Sequence, residues 1–255
     1  MSSLYRALDG SGVPVVLLHA GGLDSRMFEL DIPSLAAQAQ VLRYDRAGSG
    51  RSPAPIRPVD RIDELRTVVS AAFGGRPAVL VGSSAGGQLA VEFTLAHPSL
   101  VAGLLLVGPG LSGAKVSAER DARMSTVAAA ARHGGGALAD AWMKDAHLAP
   151  HGFPSRTAEL VRAMLRDNVG LFVEPPASVA PGSARGRLGR LAAPGHVLVG
   201  EHDDPDNHAV AQTLAREARA LELHVVPGAG HFPMLEQIGW LPQRLAELLD
   251  RLDPP

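Results

Sequence analysis

The stretch Gly82-Ser83-Ser84-Ala85-Gly86 contains a serine that could act as a nucleophile. It fits the pattern G-x-S-x-G, centred on Ser84. An apolar run precedes it and a helix-compatible run follows, so it predicts a sharp turn from a strand into a helix. Such a turn strains the backbone and exposes the serine oxygen, and the flanking glycines prevent clashes. Ser83 falls before the turn, so we predict Ser84 as the nucleophile. The alternative is an ordinary strand-to-helix turn.

A nucleophilic serine needs a base, and the base needs a carboxylate that orients it. His231 lies between the last apolar run and the last helical pattern. Asp203 follows the preceding apolar run, with Asp204 and Asp206 as rivals. The carboxyl ends of parallel strands lie along one edge of a sheet, so these loops are expected to meet Ser84 there. The order along the chain is serine, aspartate, histidine.

Two backbone amides could bind the negative oxygen that forms when a serine attacks a carbonyl group. The amide of Ala85 directly follows the serine and opens the predicted helix. The second donor is expected in a loop after an early strand, and the stretch His19-Ala20-Gly21-Gly22 occupies such a position. We predict the amide of Gly21 as the second donor. The alternative is a glycine-rich loop without a function.

Short apolar runs alternate with helical patterns along most of the chain. The runs cover residues 13–20, 41–45, 78–83, 101–109, 196–201 and 222–228. The helical patterns cover residues 25–37, 60–73, 85–97, 207–218 and 234–251. Runs that are short and apolar throughout indicate strands buried on both faces. The sequence therefore predicts an α/β fold, with a mostly parallel central sheet flanked by helices.

Residues 111–193 interrupt this alternation with helical stretches and a segment rich in Pro, Gly, Ser and Arg. We predict a core domain formed by residues 1–110 and 194–255, with a helical cap inserted at 111–193. The cap holds 11 Lys and Arg against 7 Asp and Glu, a formal charge of +4. This charge raises the hypothesis of an anionic substrate. Candidate pocket residues in the cap are Met124, Trp142, Met143, Phe153, Met164 and Phe172.

The composition excludes several classes of protein. A formal charge of −2 over 255 residues provides no strong field toward nucleic acid or an anionic membrane. The chain has no cysteine, which excludes disulfides, thiolate nucleophiles and cysteine-ligated zinc. No apolar run reaches the roughly 20 residues of a membrane helix, and the N-terminus lacks a signal-peptide pattern. We expect a cytoplasmic protein without nucleic-acid or membrane partners.

A metal site is the alternative for the loop that carries the predicted acid. This loop holds side chains that can ligate a divalent ion, namely His202, Asp203, Asp204, Asp206 and His208. Most of them share one short loop, and no second group of ligands stands elsewhere in the sequence. Acids that cap the next helix account for them better, so we expect neither a metal nor a cofactor.

Taken together, these motifs resemble the α/β-hydrolase superfamily over nearly the whole chain. The matching stretches are LLHAGG, YDRAGSGRS, LVGSSAGG, VLVGEHD and GAGHFPMLEQ. The resemblance also implies a lid after the sixth strand, where residues 111–193 lie. Two departures stand out, because Ala20 and Ala47 replace glycines that are usual in the family.

The resemblance and the motifs together predict a serine hydrolase that cleaves a small carboxylic ester or lactone through an acyl-enzyme. In this reading Ser84, His231 and Asp203 form the triad, and Gly21 and Ala85 form the oxyanion hole. The alternatives are a C–C bond hydrolase, a perhydrolase or an amidase with the same triad, a non-catalytic small-molecule receptor, and a structural module. The acyl group, the alcohol and the oligomeric state are left open.

Overall fold

A computed structural model describes residues 4–148, 151–179 and 182–252. Its centre is a seven-stranded sheet in the order β1-β3-β2-β4-β5-β6-β7. Strand β1 runs antiparallel to β3, and the other neighbours are parallel. The strands are β1 (Arg6–Asp9), β2 (Pro14–Leu18), β3 (Gln40–Tyr44), β4 (Ala78–Ser83), β5 (Val101–Val107), β6 (Gly195–Gly200) and β7 (Leu221–Val226).

Helices cover both faces of the sheet. Those outside the insertion are α1 (Ile32–Ala36), α2 (Arg61–Phe73), α3 (Ala85–Ala96), α8 (Pro205–Glu217), α9 (Pro233–Glu236) and α10 (Trp240–Leu252). Four more lie between β5 and β6: α4 (Ala118–Ala131), α5 (Gly135–Trp142), α6 (Ser155–Asp167) and α7 (Gly170–Val173). The predicted α/β fold with a helical insertion is thus confirmed. The assignment of separate domain boundaries stays a prediction.

The sheet separates two apolar cores. Strand side chains alternate between the two faces, so neighbouring residues of β4 enter different cores. Val79 and Val81 pack with α10 and with helices of the insertion, whereas Leu80 packs with α2, α3 and α8. All residues of β2, β4 and β6 are buried, as expected for parallel strands covered on both sides.

The insertion contributes to both cores: its helices α4–α6 pack into one, and Leu188 and Leu191 near its end pack into the other. Val161, Met164 and Leu165 of α6 are buried in the cluster that contains side chains of β4 and β5. Its described residues contain no strand, but Ser178 forms an isolated parallel bridge with Val59. We refer to residues 111–193 as the cap.

Some elements differ from the sequence prediction. The sequence does not predict β1, because this four-residue edge strand alternates exposed and half-buried positions and lacks an apolar run. The pattern at 25–37 divides into a 3₁₀ turn at Ser25–Phe28 followed by α1. The pattern at 234–251 divides into α9 and α10, and Gly239 between them has a φ of 86° that a helix does not adopt.

None of the described helices combines the length and the apolar character that a crossing of the bilayer requires.

Gly195 provides a test of how tightly the sheet is packed. It opens β6, and a Cβ atom there would clash with the carbonyl oxygen of Leu104 on β5. We expect Gly195→Ala to lower the free energy of unfolding by about 3 kcal/mol or more, because backbone cannot yield as a flexible side chain does. The matched control is Gly136→Ala in α5, where a Cβ would meet nothing within 4 Å.

The control should leave stability unchanged or raise it by up to about 1 kcal/mol, since alanine is the better helix former. Thermal and urea unfolding followed by circular dichroism measure both variants. Equal stabilities would contradict the packing derived for β5 and β6.

Candidate active site

Ser84 stands on a strained turn between β4 and α3. Its backbone has φ 53° and ψ −114°, and it is the one non-glycine residue with a positive φ in the described part of the chain. Its amide donates to the carbonyl of Val107, and its carbonyl accepts from the amides of Gln88 and Gly110. These bonds hold the turn in a conformation that costs about 1–3 kcal/mol.

Close backbone approaches explain the glycines around this turn. A Cβ at Gly82 would lie 2.6 Å from the carbonyl oxygen of Gly86. A Cβ at Gly86 would clash with the carbonyl of Leu18, at the end of the neighbouring strand β2. The sharp turn therefore depends on both glycines. Ser83, the rejected candidate, is fully buried in β4.

His231 and Asp203 form a buried pair at the same edge of the sheet. Nδ1 of His231 lies 2.9 Å from Oδ2 and 3.0 Å from Oδ1 of Asp203. The exposed fractions of the two residues are 5% and 4%. The His231 amide donates to the carbonyl of His147 in the cap, at 2.8 Å. Because a carboxylate is an acceptor, it favours the imidazole tautomer with the proton on Nδ1 and leaves Nε2 free.

Two more glycines allow these loops to meet. A Cβ at Gly200, the last residue of β6, would clash with the carbonyl of Gly230 beside His231. Gly108 follows β5 with a φ of 50°, and a Cβ there would lie 2.8 Å from Nδ1 of His231 and 3.0 Å from Oδ2 of Asp203. The pair thus packs directly against bare backbone.

Asp203 is held in its ionised form. Burial alone would raise its pKa, but the His231 ring, the Asn207 side chain and the Asp204 amide together hold the pKa below its usual value. The amide of Asp204 and Nδ2 of Asn207 each lie 2.7 Å from Oδ1. A buried carboxylate with three donors remains charged at neutral pH.

The rival acids have other partners. Asp204 caps α8 by accepting from the Asp206 amide, and it pairs with Arg123 of α4. Asp206 accepts from the amide of Ser117, which caps α4. Neither of these two acids bonds to His231, whereas Asp203 does.

Gly21 and Ala85 are neighbours beside the serine. A Cβ built on Gly21 would lie 3.6 Å from the Cβ of Ala85, and Ala85 is the first residue of α3. Among the described residues, no acceptor is bonded to either of these two amides. The amide of Ala20, in contrast, donates to the sulfur of Met27 at 3.3 Å. Of the consecutive amides of Ala20 and Gly21, only that of Gly21 is therefore without a hydrogen-bond partner among the described residues.

His19 and Arg46 hold the glycine loop in place through hydrogen bonds to its backbone. Burial, together with the Arg46 guanidinium, holds the pKa of His19 well below its usual value. The neutral ring accepts from the Arg46 amide at Nε2 and faces the Ala20 carbonyl with Nδ1. The Arg46 side chain also donates to the carbonyls of His19 and Ala20, both at 3.0 Å. The loop that carries Gly21 is thus anchored at its two preceding carbonyls.

A cavity of about 200 Å³ opens above these groups. Gly21, Ser84, Asp203 and His231 contribute to its wall. The other lining residues are Arg120, Arg123, Met124, Trp142, His147, Leu148, Phe172, Asp204, Asn207 and Phe232. In the described part of the chain, no hydrogen bond joins the Ser84 hydroxyl to His231.

The cap supplies much of the apolar wall. Among the six predicted pocket residues, Met124, Trp142 and Phe172 line the cavity. The other three, Met143, Phe153 and Met164, pack into the apolar core instead. Phe172 also covers Gly22, where a side chain would overlap the phenyl ring.

Sequence reasoning missed the polar cap residues of this cavity. Arg120 and Arg123 stand one turn apart on α4, and their spacing is indistinguishable from that of a solvated helix face. Arg123 bonds Asp145 at 2.8 Å and also pairs with Asp204, whereas Arg120 donates to Asn207 at 2.5 Å. The bond to Asp145 lies within the cap, whereas the contacts with Asp204 and Asn207 connect the cap to the loop that carries Asp203 and to the start of α8.

A second fastening lies on the opposite side of the cap. Asn168, just after α6, accepts from the Gly50 amide at 2.7 Å and donates to Asp24 at 2.9 Å. Arg26 bridges Asp24 and Asp167. Asp24 precedes the 3₁₀ turn that contains Met27, so this contact connects the cap to the glycine loop.

The possible metal ligands of the loop at residues 202–208 do not form a cluster with metal-ligand spacing in the described part of the chain. Within residues 4–148, 151–179 and 182–252, the cluster with metal-ligand spacing is His196, Glu222 and His224, on β6 and β7. Arg251 holds Glu222 there with two bonds of 2.8 and 2.7 Å. This cluster does not line the cavity.

Comparison with known proteins agrees with the fold. Residues 15–248 match the model of the Alpha/beta hydrolase family. The chain is 29% identical to the pimeloyl-[acyl-carrier protein] methyl ester esterase of Chromobacterium violaceum, over 94% of this chain and 96% of that relative. Two further curated relatives match at 34% identity, but over only 40–41% of their own length.

Two solved structures are also similar. A thermophilic esterase from Thermogutta terrifontis superimposes with a TM-score of 0.78 at 25% identity, covering 98% of this chain and 93% of that one. Est816, described as an N-acyl homoserine lactone degrading enzyme, superimposes with a TM-score of 0.73 at 26% identity, covering 97% and 96%.

The strain at Ser84 can be measured by comparing glycine with alanine. Glycine adopts a positive φ without cost, whereas alanine keeps the strain of serine. We expect Ser84→Gly to be more stable than Ser84→Ala by about 1 kcal/mol. At the neighbouring Ser83, in regular strand conformation, the order should reverse, because glycine weakens a strand.

Urea unfolding of the four variants measures both differences. The same order at both positions would contradict the strained turn.

Proposed function

Since the chain belongs to the alpha/beta hydrolase family, we propose that it is a serine hydrolase. Its substrate is a small, uncharged carboxylic ester or lactone, cleaved through an acyl-enzyme intermediate. The observation that carries this proposal is the buried Asp203–His231 pair beside the strained Ser84 on one cavity wall.

The acylation step follows from the positions of the three side chains. Oγ of Ser84 attacks the carbonyl carbon while Nε2 of His231 accepts its proton. Asp203, ionised and bonded to Nδ1, stabilises the imidazolium that forms. The imidazolium then gives its proton to the leaving alkoxide, which departs as an alcohol and leaves the acyl group on Ser84. For a lactone, the alcohol remains tethered to that acyl group.

Two backbone amides are proposed to stabilise the oxyanion, and His231 is proposed to act again when the acyl-enzyme is hydrolysed. The amides of Gly21 and Ala85 donate to the carbonyl oxygen as it becomes negative. Loss of one such donor typically slows the reaction by about 10²–10³-fold. Water, deprotonated by His231, attacks the acyl-enzyme, and the proton returns to Ser84. Hydrogen bonds between base and nucleophile commonly tighten when substrate is bound, so we expect the contact from Ser84 to His231 to form in the complex.

The cavity supports a small and uncharged substrate. Its volume of about 200 Å³ is below the roughly 300–1,000 Å³ of pockets for drug-sized ligands. Among its lining residues, the cations Arg120 and Arg123 are balanced by the carboxylates Asp203 and Asp204. The positive charge of the cap is therefore neutralised where it meets the cavity, which weighs against the anionic substrate considered from composition.

The similar proteins support the same substrate class. The Chromobacterium violaceum relative is named for a methyl ester, and Est816 is described as degrading a lactone. Both named molecules contain an acyl–oxygen bond of the kind that the proposed mechanism cleaves.

Ser84→Ala tests the nucleophile. We expect hydrolysis of p-nitrophenyl butyrate to fall by at least about 10³-fold, because the substitution removes the oxygen that is proposed to attack. A fluorophosphonate probe should label the wild-type protein at Ser84, as read by peptide mass spectrometry. Ser83→Ala is the matched control and should keep both activity and labelling.

Unchanged turnover in Ser84→Ala would contradict the assignment. If the probe labels Ser84 but no ester or lactone is cleaved, a panel of amides, peracids and C–C substrates distinguishes the other reactions of the same triad. Absence of labelling would favour a non-catalytic receptor.

Substrate length tests the shape of the cavity. We expect kcat/KM to fall at least about tenfold from p-nitrophenyl butyrate to the dodecanoate, since the cavity holds only about 200 Å³. Phe172→Ala should reduce the ratio of kcat/KM for the butyrate to kcat/KM for the dodecanoate, because it removes a side chain that lines the cavity. Phe153→Ala, which shortens a cap side chain outside the cavity, should leave the ratio unchanged.

Salt dependence tests the charge of the substrate. KM for the butyrate should change less than about twofold between low and high ionic strength, because no charged pair has to form. A tighter KM for carboxylate-bearing esters that is lost in salt would instead support anionic recognition.

A further inference from the structure

Asn207 lies directly behind the proposed catalytic acid. It is the third residue of α8 and only 3% exposed, an unusual location for an asparagine in the first turn of a helix. Its Nδ2 donates to Oδ1 of Asp203 at 2.7 Å and lies 2.9 Å from Nδ1 of His231. A buried amide of this kind must satisfy its polar atoms with specific partners.

Two charged partners define which way this amide points. Nη1 of Arg120 always carries a proton, so the atom that faces it at 2.5 Å is the oxygen of Asn207. The Asp203 carboxylate is an acceptor, so the atom that faces it is the nitrogen. A flipped amide would place donor against donor and acceptor against acceptor. Asn207 therefore has one orientation.

That orientation also limits the Asp203 carboxylate to one rotation. Oδ1 accepts from Asn207 and from the Asp204 amide, and in this rotation Oδ2 lies 2.9 Å and Oδ1 3.0 Å from Nδ1 of His231. Two protonated nitrogens, Nδ2 of Asn207 and Nδ1 of His231, are tolerated 2.9 Å apart when both point at this carboxylate. This arrangement keeps Nε2 of His231 unprotonated and available as a base.

The series of contacts begins in the cap. Arg120 lies on α4 and reaches Asn207 across the cavity wall. Asn207 connects Arg120 to Asp203, and Asp203 connects to His231. The orientation of the base therefore depends on a cap residue that need not touch the substrate.

We propose that Asn207 is a positioning residue, which holds the Asp203 carboxylate in the rotation that His231 requires and is itself held by Arg120 of the cap. The proposal rests on the proposed function, because it presupposes the roles of Asp203 and His231. Asn207 would thus support the three proposed catalytic residues through its bond to Asp203. Full activity would then require the contact between Arg120 of the cap and Asn207.

Asn207→Asp isolates the donor. Aspartate has nearly the size of asparagine and still accepts from Arg120, but it faces Asp203 with an acceptor oxygen. We expect kcat for p-nitrophenyl butyrate to fall by about 10–100-fold, with a smaller change in KM. The second carboxylate stabilises the His231 imidazolium, so the acidic limb of the kcat/KM profile should move to higher pH by about one unit.

Other ionisable groups surround this cluster and stay unchanged in the variant. They are Asp204 and Asp206 beside Asp203, Arg120 and Arg123 on α4, Asp145 and His147 after α5, and Glu236 on α9. A shift of the acidic limb is therefore attributable to position 207.

Asn168→Asp is the matched control. Asn168 is the other asparagine of the chain, is equally buried, and also bonds a carboxylate, that of Asp24. Its substitution should lower stability but leave the acidic limb in place. If Asn207→Asp fails to fold, Arg120→Met is used instead. It removes the partner of the Asn207 oxygen while keeping an apolar stem, and should lower kcat about three- to tenfold.

Direct titration of His231 by NMR separates the possible outcomes, because it requires no turnover. If the wild type hydrolyses the ester but Asn207→Asp or Arg120→Met keeps kcat and the His231 pKa, the positioning role is overturned and the proposed function stands. If the wild type hydrolyses nothing and the probe does not label Ser84, the proposed function fails, whatever the titration shows. A reduced kcat with little change in KM in both Asn207→Asp and Arg120→Met supports the positioning role, because Arg120→Met places no new carboxylate beside His231.

Discussion

The bond between the Asp203 carboxylate and the His231 ring is the contact on which the rest of the site depends. It joins two loops that follow different strands, β6 and β7, and both partners are nearly inaccessible to water. An unpaired carboxylate in that position would be costly, so the pair needs donors around it and close packing against backbone. The glycines at 108 and 200 and the amide of Asn207 all serve this one contact.

The cap is part of this arrangement. It is fastened to the core through Arg123 and Arg120 on one side and through Asn168 on the other. One fastening reaches the loop of the acid, and the other reaches the segment next to the glycine loop. Both halves of the proposed chemistry, proton transfer and oxyanion binding, are therefore mechanically connected to the same cap.

The sequence predicts the fold well because the signal is repeated. Each central strand is a short apolar run, and helical patterns separate most of these runs, which predicts the α/β fold. The interruption of this alternation at residues 111–193 predicts the helical insertion. Strand β1 escapes prediction because four residues with mixed exposure carry no apolar period. The break between α9 and α10 coincides with Gly239, whose positive φ interrupts the helix but is not determined by the apolar pattern.

The site is predictable to the extent that its residues lie next to strand ends. Ser84, Asp203 and His231 each follow a strand, so topology alone brings them to one edge of the sheet. Asp203 could not be distinguished from Asp204 and Asp206 by position, because the choice depends on which side chain points toward His231. Asn207 and Arg120 look like ordinary helix residues until the cap is folded onto α8.

The core and the cap contribute different kinds of residues to the cavity wall, and this separation has an evolutionary consequence. The groups proposed to react come from the core, where glycine backbone packs against them, whereas Met124, Trp142, Leu148 and Phe172 come from the cap. Mutations that exchange these four side chains reshape the space for the substrate without entering the crowded region around the acid and the base. Natural drift and directed libraries can therefore diversify selectivity within one segment while the reaction itself is inherited unchanged.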